Sequence, residues 1–348
     1  MSWADVQVAF ILGLDIGGTK LAAGLAADDG RLLSREVIPA QTEEGAEAII
    51  ARLLAMARKV IDASGAPPSA IAATGVSCGG PLDIRTGIVR EPTNLPGWVD
   101  VPLVARLANG LAGLLGDGPL FLENDANAAA MAEHRYGAGR GVANLVYLTI
   151  STGIGGGVII EDRVIEGESG NAAEIGHMSM AHDGWPCPCG SRGCLEALAS
   201  GTNIARRARE RMAGGERSSL AGLMTVAPDT ITAREVAAAA RAGDALACAV
   251  WDETVAVLGA AVGSIINIFN PRLVILGGGV TAVGDQLIAP VRRIALERAF
   301  PSMAAEADVV IGQLGADIGI MGAVAAAQSR LANRDAHLAN RDARPTTS

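Results

Sequence analysis

The stretch VAFILGLDIGGTKLAAGLAA, residues 8–27, sets an apolar run against a glycine turn and then a second apolar run. Val8 to Leu14 predicts a buried strand ending at Asp15, and Leu21 to Ala27 predicts a second strand after the turn. The same plan recurs at LVYLTISTGIGGGVII, residues 145–160. There Leu145 to Ile150 runs into Ser151-Thr152-Gly153, and Val158 to Ile160 continues as a strand. Outward from the first hairpin, Leu32 to Ile38 predicts a third strand and Glu43 to Ala63 a helix with acidic residues in its first turn. A strand at Ile71 to Ser77, a helix at Val101 to Leu114 and a strand at Leu120 to Glu123 follow. After the second hairpin, helices are predicted at Leu195 to Met212, Ala233 to Arg241 and Ala245 to Ile268. A strand at Leu273 to Leu276, a helix at Asp285 to Arg298, a strand at Val309 to Ile311 and a helix at Asp317 to Leu331 complete the chain. Hairpins leading into alternating helices and strands predict an α/β class with mixed sheets, and the recurrence predicts two such domains.

Length and composition agree with that plan. A chain of 348 residues can build two cores. Half its residues are hydrophobic but only 3% are aromatic, so those cores must be aliphatic. The net charge of −9 argues against nucleic acid or an anionic membrane as partner. No apolar run of membrane-spanning length escapes interruption by glycine or polar residues, and Met1 to Phe10 lacks a signal pattern. Three of the five cysteines crowd into eight residues, which predicts a metal site in a reducing compartment and hence a cytoplasmic protein. The closing segment repeats LANRDA at 331–336 and 338–343. So short and polar a repeat predicts a disordered, dispensable tail over 332–348, with a short helical partner-binding segment as the alternative.

Four clusters carry chemistry. In Asp15-Ile16-Gly17-Gly18-Thr19-Lys20, the glycines can present backbone amides to a phosphate, Thr19 adds a hydroxyl, and Asp15 can orient a hydrated Mg²⁺. An ordinary glycine hairpin is the competing reading, with Lys20 simply solvated. Thr152-Gly153 in the second hairpin repeats the device, and Gly277-Gly278-Gly279 ends a strand where a nucleotide can approach closely. No G-x-G-x-x-G opens a helix after the first strand, which excludes a Rossmann dinucleotide site. In Glu123-Asn124-Asp125-Ala126-Asn127, Asp125 stands at a helix N-terminus, as a cap or as a base for a hydroxyl attacking a γ-phosphoryl group. Asn124 and Asn127 can bind neighbouring hydroxyls, with simple decoration of the helix the competing reading for Asn127. Gly80 permits close ligand approach, and Asn94 is either a hydrogen-bonding ligand group or a local cap, with Trp98 anchoring its loop. In the fourth cluster, His177, Cys187, Cys189 and Cys194 make one imidazole and three thiolates, a complete tetrahedral shell for structural Zn²⁺. His182 competes with His177, which is preferred because it follows Glu174-Ile175-Gly176 directly.

These motifs, DIGGTK, ENDANAAA, STGIGGG…EIGH, CPCGSRGCLE and ILGGGV, resemble in kind and order the ROK family of sugar kinases and repressors over residues 8 to 330. The resemblance implies an actin-like (ribonuclease H-like) ATPase fold, with two α/β domains around an interdomain cleft that closes on ATP and sugar. Its domains are expected at 1–124 and 125–316, with the 317–331 helix packing back on the first. It implies Asp125 as general base, and Gly80, Asn94, Asn124, Glu174, His177 and Glu196 as contacts to sugar hydroxyls. Asp15, Gly17, Gly18, Thr19, Lys20, Thr152, Gly153 and Gly277 to Gly279 would bind ATP with Mg²⁺, and His177 with the three cysteines would bind zinc. The activity implied is phosphorylation of a hexose 6-hydroxyl, glucose first, as at the entry to glycolysis. N-acetylmannosamine, N-acetylglucosamine or fructose are the alternative substrates. A homodimer or homotetramer is expected. A sugar-responsive repressor is the alternative class, disfavoured because only 14 residues precede Asp15.

Overall fold

The computed structural model describes residues 9–92, 94–115 and 118–342, with side chains through 334. Val8, Thr93 and the last six residues of the expected tail lie outside the described residues. The chain forms two compact units. The first comprises residues through Tyr136, Glu166–Ala172 and residues from Ala316 onward; the second comprises Gly137–Ile165 and Ala173–Gly315. The boundary expected at 124/125 therefore falls at 136/137, because the helix that follows Asn124 packs within the first unit.

In the first unit, β1 (Phe10–Ile16), β2 (Lys20–Ala27) and β3 (Leu32–Pro39) form the antiparallel opening, followed by α1 (Gly45–Ser64) and β4 (Ile71–Cys78). A small hairpin of β5 (Leu82–Asp83) and β6 (Ile88–Val89), then α2 (Leu103–Leu111), β7 (Leu120–Asn124) and α3 (Asp125–Tyr136), complete its first stretch. The sheet order is β3-β2-β1-β4-β7, with β1, β4 and β7 parallel.

The second unit contains β8 (Leu145–Ile150), β9 (Ile154–Ile160), β10 (Arg163–Val164), α4 (Leu195–Ala199), α5 (Gly201–Ala213), α6 (Ala221–Val226), α7 (Ala233–Arg241) and α8 (Ala245–Phe269). β11 (Leu273–Gly277), α9 (Asp285–Arg298), α10 (Pro301–Ala304) and β12 (Asp308–Ile311) finish it, and α11 (Ile318–Asp342) returns to the first unit. Its sheet order, β10-β9-β8-β11-β12, reproduces the first sheet strand for strand. The recurrence of hairpins in the sequence is thus a recurrence of sheet topology.

Three departures from the sequence reading have local causes. The single helix expected over Leu195 to Met212 breaks at Ser200, whose extended backbone (ψ 159°) ends α4 while its side chain caps α5 at the Asn203 amide. β9 begins at Ile154 and includes the glycines at 155–157, because a side chain at Gly156 would meet the Ala173 carbonyl at 2.9 Å. α11 continues to Asp342 through the first LANRDA repeat and most of the second. Ala, Leu and Arg favour helix there, and neither glycine nor proline intervenes between Gly322 and Pro345.

α1 and α2 pack on one face of the first sheet, where Leu12, Leu14 and Ile16 point into an aliphatic core. The other face belongs to α11, which lies almost on the backbone of the strands. Gly24, Gly13 and Gly75 stand side by side in register across β2, β1 and β4. A Cβ at Gly13 would lie 2.7 Å from the Ile320 carbonyl, and one at Gly75 would collide with that of Ala323. This glycine bed sets how closely the start of α11 approaches the end of β1. In the second unit α8 is long and apolar enough to cross a membrane by length and composition. Its apolar positions, among them Leu246, Val250, Leu258, Val262 and Ile266, instead join the core against α4, α5, α7 and α9.

Candidate active site

In the first unit the parallel strands end together. Asp15, Ser77 and Glu123 form one register row across β1, β4 and β7; Ile16, Cys78 and Asn124 form the next, and Asp125 follows as the first residue of α3. Carboxyl ends of parallel strands are where α/β folds bind ligands. Burial raises the Asp15 carboxyl to about 6; the Ser77 hydroxyl lowers it, the Asp125 charge raises it and Lys20 lowers it. Ser77 does so without a bond of full hydrogen-bond geometry. Burial also pushes Asp125 up, against two backbone amides that pull it down.

The capping duty that competed for Asp125 falls to its neighbour. Asn124 Oδ1 accepts the amides of Ala126 at 2.9 Å and Asn127 at 3.2 Å, so Asn124 is the N-cap of α3. Asp125 uses one oxygen on the Ala126 amide at 2.9 Å. Asn127, which the sequence left as either a hydroxyl binder or a residue merely decorating the helix, is buried and donates to Glu123 Oε1 at 3.4 Å. Lys20 is not simply solvated, because its Nζ donates to the Ala316 carbonyl at 3.3 Å.

Asn94 reaches both glycine loops of this unit. Side chains at Gly18 and at Gly79 would each meet it at 3.0 Å, so both loops need glycine where Asn94 passes. Gly80 lies next to Asn124, whose Nδ2 would be 3.3 Å from a Cβ there. In the hairpin turn Gly17 donates its amide to the Lys20 carbonyl, and Thr19 is exposed. Trp98 is fully buried, the anchor its loop was expected to have. Gly319 in the first turn of α11 gave no signal in the sequence, yet any side chain there would collide with the Asp15 carboxylate.

The second unit holds the other candidates. Glu196 Oε2 accepts the Ile154 amide at 2.9 Å, and a side chain at Gly153 would run into the same oxygen. Glu196 thus braces the Ser151–Gly153 turn from two residues beyond Cys194. Beside that turn a cavity of about 530 Å³ is lined by Ser151, Thr152, Thr202, Ala237, Gly279 and Arg241, among others. Its size suits a small-molecule ligand. The three glycines at the end of β11 separate in role. Gly277 is packed against the Tyr147 hydroxyl and Gly278 against the Ile150 backbone, while Gly279 faces open space in the cavity wall.

His177, Cys187, Cys189 and Cys194 come together with all ligand atoms within 4.8 Å of one another. Cys187 Sγ lies 3.6 Å from His177 Nδ1, and Cys189 Sγ lies 3.7 Å from Cys194 Sγ. A tetrahedral zinc with bonds of about 2.3 Å to sulfur and about 2.0 Å to nitrogen has S···N edges of ~3.5 Å and S···S edges of ~3.8 Å. The donor set therefore fits zinc in type and spacing. His182 is exposed and pairs with Asp183, which removes it as a competing ligand. Exposed Glu174 opens the turn that carries His177, whose amide donates to its carbonyl at 3.0 Å.

Known proteins resemble this chain along nearly its whole length. A glucokinase of Thermotoga maritima is 38% identical over 312 residues, covering 89% of this chain and 94% of that one. The structure of a glucokinase from Streptomyces griseus in complex with glucose and AMPPNP superposes with a TM-score of 0.78 at 33% identity, over 93% of this chain and 100% of that one. A hexokinase structure from Thermus thermophilus gives 0.74 at 35% identity, over 94% and 99%. The model of the ROK family matches residues 11–330, a range that takes in both glycine turns and the cysteine cluster. By its doubled sheet topology, its motifs and these matches, the chain belongs to the ROK family.

Proposed function

We propose that this protein is an ATP-dependent glucokinase in which Asp125 removes the proton from the attacking 6-hydroxyl. The observation that carries the reading is that Asn124 caps α3, so Asp125 stands at the strand ends without that duty and within electrostatic reach of Asp15. As the hydroxyl oxygen bonds to the γ-phosphorus, its proton passes to Asp125 and the bond to the β-phosphate oxygen breaks, releasing ADP. A carboxyl raised by burial is better matched to that proton than an ordinary one. The residues proposed to contact sugar hydroxyls are Gly80, Asn94, Asn124, Glu174, His177 and Glu196. The cavity beside Ser151, Thr152 and Gly279 would take the nucleotide.

Two metals belong to this reading. Asp15 and Asp125 repel each other, so Asp15 would hold hydrated Mg²⁺, which neutralises charge on the transferring phosphates when bound. His177 with the three cysteines would hold structural zinc. Five free thiols agree with a reducing, cytoplasmic setting. The test is ADP release over a panel of glucose, mannose, fructose, N-acetylmannosamine and N-acetylglucosamine. Glucose should give the highest kcat/KM; a larger value for an N-acetylhexosamine overturns the substrate assignment.

Asp15 also links the site to stability. Its folded value of about 6 stands above the unfolded value near 3.8. Its contribution is therefore fully present below pH 3.8 and is lost as pH rises through 6, a change of about 3 kcal/mol. Asp15→Asn should accordingly match the parent in urea unfolding near pH 4 and exceed it above pH 7, while Mg²⁺-ATP affinity falls. An Asp15→Asn stability difference that does not grow between pH 4 and 7 would contradict the burial argument.

A further inference from the structure

Arg330 on α11 is bound on two sides. Its guanidinium donates to Glu123 Oε2 at 2.9 Å and pairs with Glu166 Oε1 at 3.0 Å. Glu123 is fully buried, and its other oxygen accepts the Asn124 amide at 3.2 Å and Asn127 Nδ2 at 3.4 Å. The carboxylate that Arg330 neutralises is thus bonded to the turn that caps α3 and presents Asp125.

The second arm leads elsewhere in the same unit. Glu166 begins the Glu166–Ala172 segment, an excursion of the chain into the first unit. The segment closes on itself through the Ala172 amide on the Glu166 carbonyl at 3.1 Å. Asn171 then clamps Leu82 in both directions: Leu82 donates its amide to Oδ1 at 3.3 Å, and Nδ2 donates to the Leu82 carbonyl at 3.1 Å. Gly80 lies between the two held elements, with a Cβ position 3.3 Å from Asn124 Nδ2 and 3.6 Å from Asn171 Oδ1.

We propose that Arg330 is a positioning residue for phosphoryl transfer: through Glu123 it fixes the β7–α3 turn with Asn124 and Asp125, and through Glu166 it fixes the segment that holds the Gly80 loop. The role of Asp125 as base is the reading on which this rests. Both contacts run to one nitrogen, Nη2, so an ammonium at this position keeps the charge but not the reach and planar shape that bring Nη2 to both carboxylates. Breaking the pair leaves Glu123 as an uncompensated buried charge two residues before Asp125.

The experiment measures kcat, KM and the glucose dissociation constant by calorimetry for R330M, R330K, E166Q, E123Q and E123Q/R330M, with R334M as an exposed control one turn further along α11. R330M should lower kcat at least tenfold and raise the glucose KM at least tenfold, with R330K intermediate and R334M within twofold of the parent. E166Q severs the segment alone, so KM and the dissociation constant should rise about fivefold while kcat changes less than twofold. E123Q/R330M should recover much of the kcat lost in R330M, because the stranded charge is gone. R330M within twofold of the parent in both constants overturns the proposal, and so does a strictly multiplicative double variant. Should R330M fail to fold, E166Q decides alone: an unchanged dissociation constant sinks the segment arm, and with it the double role. These outcomes separate from failure of the base assignment, which is read in Asp125→Asn, because calorimetry reports on the glucose loops without turnover.

Discussion

Asp125→Asn is expected to lower kcat by roughly 10³-fold, within the 10²–10⁴ range of general-base catalysis, while glucose binds within a few-fold of the parent. The amide keeps the shape of the side chain but cannot accept the proton as the hydroxyl attacks. Folding should survive, because Asn124 provides the cap of α3 and the exchange leaves those two hydrogen bonds intact. The exchange also removes a charge that raises Asp15, so the Asp15 carboxyl should ionise at lower pH in the variant. ADP release and calorimetry with glucose check both halves. Turnover within tenfold of the parent would refute Asp125 as base, and a lost glucose affinity would recast it as a binding residue.

Much of this site was legible in the sequence because strand ends and turns carry local signals. Two apolar runs around DIGGTK and two around STG predict hairpins from alternation and glycine alone, and His177 with the three cysteines stands out by residue type and spacing. What was not legible depends on partners distant in the chain. Arg330 and Glu123 are 207 residues apart, and nothing around either residue announces the pair. Gly319 looks like an ordinary helix glycine until β1 brings the Asp15 carboxylate against it. Asn171 has no motif, and its clamp on Leu82 spans 89 residues. The division of labour between Asn124 and Asp125 was ambiguous for a different reason. Both residue types cap helices, and only the hydrogen bonds to Ala126 and Asn127 assign the duty. The same limit applies to Gly277 and Gly278, which read as ligand glycines but are required by packing on β8.

The family motifs run through both units, yet their residues serve each unit separately. Asp15, Asn94, Asn124 and Asp125 belong to the first. The Ser151–Gly153 turn, Glu174, His177 and Glu196 belong to the second, where the cysteine cluster joins them. His177 presents Nδ1 to Cys187, which leaves Nε2 for a sugar hydroxyl and fixes the tautomer if a metal holds Nδ1. Glu196 follows Cys194 by two residues and holds the Ile154 amide. With zinc bound, this one loop would position both the imidazole proposed to face the sugar and the turn beside the cavity proposed for the nucleotide.

Loss of that cross-link should accordingly be felt at both substrates. Burial pushes the Cys187 thiol up to about 12 and raises Cys194, so these groups ionise readily only when a cation compensates them. The parent is expected to carry one zinc per chain by elemental analysis, and Cys194→Ser to carry none. Cys194 is fully buried, and its replacement removes one of four ligands and leaves the others unable to close a tetrahedron. The glucose KM should rise by at least tenfold as His177 loses its fixed orientation, and the ATP KM by a smaller factor through Glu196. Trp185 lies within the loop and stacks under Arg206 at 4.4 Å, so its fluorescence should change with the metal. Chelation of the parent should reproduce these effects and added zinc should reverse them, while Cys194→Ser stays unresponsive. Zinc content unchanged in Cys194→Ser would show that the ligand set is wrong. A zinc-free variant with the parental glucose KM would show instead that the loop orients His177 without the metal.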